Sequence, residues 1–252
     1  MGALSITGKA AYQEPFGPML PHIKFADFND LESVKRLITK DTCAICLETV
    51  QGEGGIYPAT KDFLAGIRQL CDEHEILMIS DEIQCGMGRS GEMFAYQTYG
   101  VTPDIVVSAK ALGCGVPVGA IGTRGRATGV LSAGDHGTTY GSNPLATAAV
   151  AAVFQLFEQY DVLANVREMT AYLDHVLSDL AVRSKLIQEI RGLGLMKGIE
   201  LSVPAASYIK ALQESGVIVI PSGTHVIRLL PPLILRKEHI DEFAFSFAKT
   251  LK

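Results

Sequence analysis

Apolar and polar residues alternate along this chain at two different periods. Residues 43–47, 76–80, 105–108 and 118–122 are short apolar runs of strand length. Between the first two, Phe63, Leu64, Ile67, Leu70 and Cys71 recur at helical spacing behind Thr60, a residue type that caps helix N-termini. Short apolar strands alternating with helices predict a mainly parallel sheet covered on both faces. Residues 1–40 are turn-rich, with a strand near residues 23–25 and a helix over 30–39. From Pro144 to about Tyr160 the chain is Ala-rich and apolar nearly all round, which predicts a buried helix. A more amphipathic helix follows over 162–182. Beyond it the texture changes: a strand pair over 186–201 around Gly192 and Gly194, a helix near 205–214, strands near 217–220 and 226–230, and a last helix from Lys237. The expectation is an α/β fold in two parts, with a large domain over 1–155 that ends in the buried helix and a small α+β domain over 156–252.

Composition narrows the class. Of 252 residues, 48% are hydrophobic and 19% charged, so the chain can bury a sizeable core and is not disordered. The net charge is -5 and Lys and Arg are scattered, so no nucleic-acid partner is expected. No apolar run reaches transmembrane length, and the first residues lack the basic-then-apolar order of a signal peptide. Neither a membrane nor export is expected. Cys43, Cys46, Cys71, Cys85 and Cys114 make an odd count without framework spacing, which predicts free thiols in a reducing, cytoplasmic compartment. Cys43 and Cys46 form a C-x-x-C, but positions three apart on a strand face opposite sides and no second pair completes a zinc site. They are expected to pack as two small buried apolar residues, and no metal site is expected.

The chemistry gathers at strand ends. In a doubly wound sheet, ligands collect beyond the carboxyl ends of the strands. The run 43–47 ends at Glu48, ahead of Gln51, Gly52, Glu53, Gly54 and Gly55. The run 76–80 ends at Asp81, Glu82, Ile83 and Gln84, and 105–108 leads to Lys110 and a Gly-rich turn. Any one of these alone reads as a cap, a turn residue or a solvated charge. Together they place acids, an amide, a lysine and three glycine-rich turns at one edge. Glycine lets backbone approach a ligand, and lysine forms imines with carbonyl cofactors. From the pattern alone, a lysine-centred cofactor site and an ordinary set of caps stand as open alternatives.

Six stretches carry a resemblance: 47–55 (LETVQGEGG), 81–91 (DEIQCGMGRSG), 94–104 (FAYQTYGVTPD), 108–119 (SAKALGCGVPVG), 135–145 (DHGTTYGSNPL) and 226–233 (VIRLLPPL). In register along essentially the whole chain, they resemble the class III (ornithine-type) aminotransferases of pyridoxal-phosphate (PLP) fold type I, most closely the acetylornithine enzymes of arginine biosynthesis. The resemblance implies that Lys110 is the Schiff-base lysine and also moves the proton. It implies that Asp81 sits against the pyridine nitrogen and keeps it protonated, within a cofactor-binding stretch of Asp81, Glu82, Ile83 and Gln84. Gln84 would lie near the phenolic oxygen. Thr139 would bond the phosphate, typically of the partner subunit's cofactor, and Thr138 would lie near substrate. Arg228 would take the α-carboxylate, with Glu53 as the carboxylate that pairs with it when the dicarboxylate substrate is absent. The implied reaction moves the terminal amino group of N-acetylornithine or ornithine to 2-oxoglutarate, in a homodimer.

The match departs from the family pattern in places. Cys85 and Ser90 stand where Thr is usual, and Cys114 where a small residue, commonly Gly, is usual. Family members are also longer. The start of the chain aligns after the family's first segment, so the Gly-Thr phosphate loop, the ring-stacking aromatic and a substrate arginine are expected to be missing. A strand edge left unpaired by that loss would need a partner chain, and phosphate affinity would fall. The expectation is therefore a weak or inactive transaminase. The alternatives are another class III enzyme (ornithine, succinylornithine or 4-aminobutyrate) or a non-catalytic remnant acting as an assembly partner.

Overall fold

The computed structural model describes residues 1–251. Two compact units are distinct, Met1–Cys43 and the chain from Ala44 onward. The first holds three short helices, α1 (Gly2–Ser5), α2 (Ala10–Gln13) and α3 (Leu31–Leu37). Gln13 ties the first turns together by donating its amide to the carbonyls of Leu4, Ser5 and Thr7. Asp30 caps α3 by accepting the Ser33 N–H at 3.0 Å, so the helix starts where expected but stops at Leu37. The strand expected near residues 23–25 does not form, because the described residues of this unit offer it no second strand to pair with.

In the second unit, strands β1 (Ala44–Glu48), β2 (Val50–Gln51) and β3 (Tyr57–Pro58) lead into helix α4 (Lys61–Glu73), capped by Thr60, which accepts the Phe63 N–H at 3.2 Å. Then come β4 (Leu77–Asp81), β5 (Ile105–Ser108) and β6 (Ala120–Thr123). The sheet order is β1-β4-β5-β6, with the first three parallel and β6 antiparallel, and β2–β3 form a separate ribbon. This is the α/β, parallel-dominated sheet that the alternating apolar runs predict, but it is covered on one face rather than both, with Cys46 and Ile121 exposed on the other.

Helix α5 (Pro144–Gln159) is capped by Asn143, and α6 (Val162–Arg183) follows. Next are the hairpin β7 (Ile187–Leu193) and β8 (Met196–Leu201), α7 (Ala206–Glu214), β9 (Ile220–Ser222), β10 (Val226–Leu229) and α8 (Lys237–Thr250). The four strands form an all-antiparallel sheet in the order β7-β8-β10-β9. Val162, Val166, Met169, Leu173, Leu177 and Leu180 repeat at three- and four-residue spacing on α6. That stripe packs with Ile199, Leu201 and Ile227 of the sheet and with Ile240, Phe243 and Phe247 of α8. Gly192 is obligatory in the hairpin: its φ is +129° and a Cβ there would meet the Met196 carbonyl at 2.0 Å.

Three expectations are corrected. Helix α5 is not buried: only Ala146 and Val153 are, while Leu145 is 73% exposed, because no other described segment covers its remaining faces. The strand expected at 217–220 forms at β9 instead, where its ladder with β10 begins at the Ile220–Arg228 pair. Cys43 and Cys46 are both exposed, since Cys46 lies on the face of β1 that no helix covers.

Candidate active site

The parallel strands bring their carboxyl ends into line. Glu48 pairs in register with Asp81, and Asp81 with Val107, so the two carboxylates start from the same face of neighbouring strands. Asp81 Oδ1 accepts the Ile83 N–H at 3.0 Å. Glu48 accepts the Gly52 N–H at 2.9 Å. Burial pushes the Glu48 pKa up; the Gly52 bond opposes this, Asp81 adds to it and Lys110 lowers it. The Lys110 cation therefore belongs to the same electrostatic cluster as the acids at the strand ends.

Lys110 starts a 3-10 turn two residues past β5, with the uncommon φ of +48° for a residue with a Cβ. The turn behind it is tightly wound. Gly113 could not carry a Cβ, which would meet the Val116 carbonyl at 2.2 Å, and Cys114 and Gly115 both have positive φ. The strain holds an exposed lysine at the strand end rather than letting it follow the strand.

The antiparallel sheet sends Arg228 to this edge. Arg228 Nη1 donates to the Gly52 carbonyl at 3.1 Å, to Glu53 Oε1 at 2.5 Å and to Gln84 Oε1 at 2.9 Å, while its Nε is buried with no partner. Ser222 Oγ also donates to the Gly52 carbonyl, at 2.9 Å. The 52–57 loop is gripped further along by Arg191, which donates Nε to the Gly55 carbonyl at 2.7 Å and stacks 3.9 Å over the Tyr57 ring. Arg89, pushed down to about 10 by burial, donates to the carbonyls of Leu195 and Pro231.

Asp81, Gln84 and Lys110 thus collect at one edge, and Glu53 and Arg228 pair there with Gln84. Ile83 contributes its N–H to Asp81. The Glu82 side chain is fully buried. Thr138 and Thr139 lie in the exposed segment 131–142, and no hydrogen bond ties them to the strand ends. Sequence reasoning passed over Ser222, Arg89 and Arg191. No local signal marks Arg191, because its strand, Ile187–Leu193, also carries Gln188 and Glu189. Among the described residues no group of three or more His, Cys, Asp or Glu side chains is arranged to hold a metal ion.

A parallel-led sheet that gathers a lysine and paired carboxylates at its strand ends, with an arginine sent to the same edge by the antiparallel sheet, is the kind of edge at which α/β enzymes hold small ligands. The class III aminotransferase model matches residues 1–251, and the chain belongs to that family, whose members depend on PLP. The chain is 48% identical over 238 residues to the acetylornithine aminotransferase of Methanocaldococcus jannaschii, covering 94% of itself and 60% of that protein. It is 44% identical over 251 residues to the succinylornithine transaminase of Salmonella agona, covering 96% and 62%. Among solved structures, the ornithine aminotransferase of Toxoplasma gondii, whose structure is described with PLP partly occupying its active site, superposes with a TM-score of 0.93 at 29% identity, over 99% of this chain and 60% of that one. The chain spans 60% to 65% of the length of the curated relatives it matches.

Proposed function

We propose that this chain is the PLP-binding part of a transaminase that moves the terminal amino group of N-acetylornithine or a similar ornithine derivative to 2-oxoglutarate. The observation that carries the reading is the meeting of Lys110, Asp81 and Gln84 with the Arg228–Glu53 pair at one sheet edge. The residues fit the cofactor: an exposed lysine for the aldehyde, a half-buried carboxylate for the ring nitrogen, and a buried arginine Nε still without an acceptor. When bound, PLP supplies an electron sink for the carbon that bears the amino group. Asp81 holds a proton on the ring nitrogen, since a neighbouring anion favours the charged form. Gln84 would border the phenolic oxygen, in the 81–84 stretch whose Glu82 lies buried beneath the site, and Thr139 would serve the phosphate of a second copy of the chain. The Lys110 amine moves the proton at the reacting carbon. Arg228 binds the substrate α-carboxylate through charge-assisted bonds once Glu53 gives way, and Thr138 lines the substrate side.

The proposed division is a cofactor domain up to about residue 155 and a small domain from 156. The proposed setting is a cytoplasmic homodimer feeding arginine biosynthesis. Among the described residues no helix is long and apolar enough to cross a membrane. The second reading, a non-catalytic assembly partner, is favoured by the exposed apolar residues Ile121, Leu145 and Tyr160, which a partner chain would cover. Reduction with borohydride in the presence of PLP, followed by peptide mapping, separates the two. A pyridoxyl group confined to Lys110 supports the enzyme reading, and labelling spread over surface lysines contradicts it.

A further inference from the structure

Glu82 is fully buried one residue past Asp81, so strand alternation turns it to the opposite face, beneath the site rather than into it. There its carboxylate gathers five donors. Oε1 accepts from Thr49 Oγ1 at 3.1 Å, Ser80 Oγ at 3.2 Å and the Tyr96 N–H at 3.0 Å. Oε2 accepts from the Ala95 N–H at 2.8 Å and the Cys85 thiol at 3.4 Å. Its own N–H donates to the Val107 carbonyl at 2.9 Å, and its carbonyl accepts the Gly86 N–H at 3.0 Å. One residue therefore joins the ends of β1, β4 and β5 to the 3-10 helix Ala95–Tyr99. Asp81 and Ile83 flank it, and Asp81 takes its orientation from the Ile83 N–H. The bridge also prevents side chains from replacing Gly86, where a Cβ would meet the Glu82 carbonyl at 2.6 Å.

We infer that Glu82 is a positioning residue: its buried carboxylate fixes the 81–84 segment so that Asp81 and Gln84 face the cofactor side of the sheet edge. What Asp81 and Gln84 touch rests on the function proposed above; the positioning itself rests on the hydrogen bonds. The role replaces the direct cofactor contact that the resemblance implied for Glu82. It also gives Cys85 a purpose, since its thiol supplies a weak donor where a Thr hydroxyl is usual.

Glu82→Gln tests the inference, because it keeps the shape but turns an NH2 toward the Ala95 and Cys85 donors. Two quantities are read in the full chain: hydrogen exchange at the Ile83 amide, which reports the Asp81 bond, and PLP affinity with the pH midpoint of its absorbance. The expected result is a rise in Ile83 exchange of about tenfold beyond any change at Leu177, about tenfold weaker PLP binding, and a midpoint shift in the direction Asp81→Asn produces. Unchanged Ile83 exchange overturns the inference. So does a rise spread evenly over β1, β4 and β5, which would mark a structural role only. A wild-type chain that takes no PLP sinks the proposed function, and the Ile83 exchange then decides on Glu82 alone. If Glu82→Gln does not fold, Thr49→Ala removes a single donor and is judged by the same selective exchange.

Discussion

The two sheets of the second unit differ in how completely the chain covers them. The antiparallel sheet is closed on both faces of its central strands: Ile199 and Ile227 are inaccessible beneath α6 and α8, and Met196 is inaccessible against Val50, Ile56, Cys85 and Ala95. The parallel-led sheet is covered on one face and open on the other, where Cys46 is exposed on β1 and Ile121 is 69% exposed on β6. The sealed sheet is built for stability. The open one carries Lys110 and Asp81 of the proposed site at its strand ends.

Core truncation sets the contrast most sharply. Leu177→Ala and Phe247→Ala each remove a fully buried side chain from the sealed core and should cost about 3–5 kcal/mol in urea unfolding. Ile121→Ala should cost no more than ~0.5 kcal/mol, and an equal loss at both sites would break the contrast. Arg191→Met comes next. Arg191 joins the sealed sheet to the 52–57 loop, so its loss leaves the Gly55 carbonyl and Glu200 without their donor. About 2 kcal/mol should be lost, with faster proteolysis at the loop; a stable variant with an unchanged loop contradicts the clamp.

The smallest effect is electrostatic. Asp104 accepts the Met78 N–H at 2.8 Å and pairs with Arg68 at 2.9 Å. Burial opposes its charge, but these bonds outweigh burial and hold its pKa below the ordinary 3.8. Its stabilisation is therefore full above pH 3.8 and is lost as pH falls through the lower folded value. Asp104→Asn should melt earlier than wild type at neutral pH, with the gap closing in acid; a pH-independent gap contradicts the pairing.

Much of this was legible in the sequence. Strand β5 and the start of α8 fall where the apolar pattern puts them, because each has a sharp polar boundary. Helix α5 did not, since an apolar helix signals burial only when something lies against it. Asp81 was visible as a polar residue directly after an apolar run, and Lys110 as one two residues past another. The Arg228–Glu53 pair joins positions 175 residues apart and came only through the resemblance. Arg89 was invisible in principle: its acceptors are backbone carbonyls, which carry no residue identity.

The central claim is that the strand ends still present Lys110 to PLP as the chain stands. Visible absorbance of the purified chain with PLP, beside Lys110→Ala, tests it most directly. The account predicts a yellow band in the wild type that the substitution abolishes. No band, or one that survives in Lys110→Ala, would contradict it and make the chain a structural fragment of an aminotransferase.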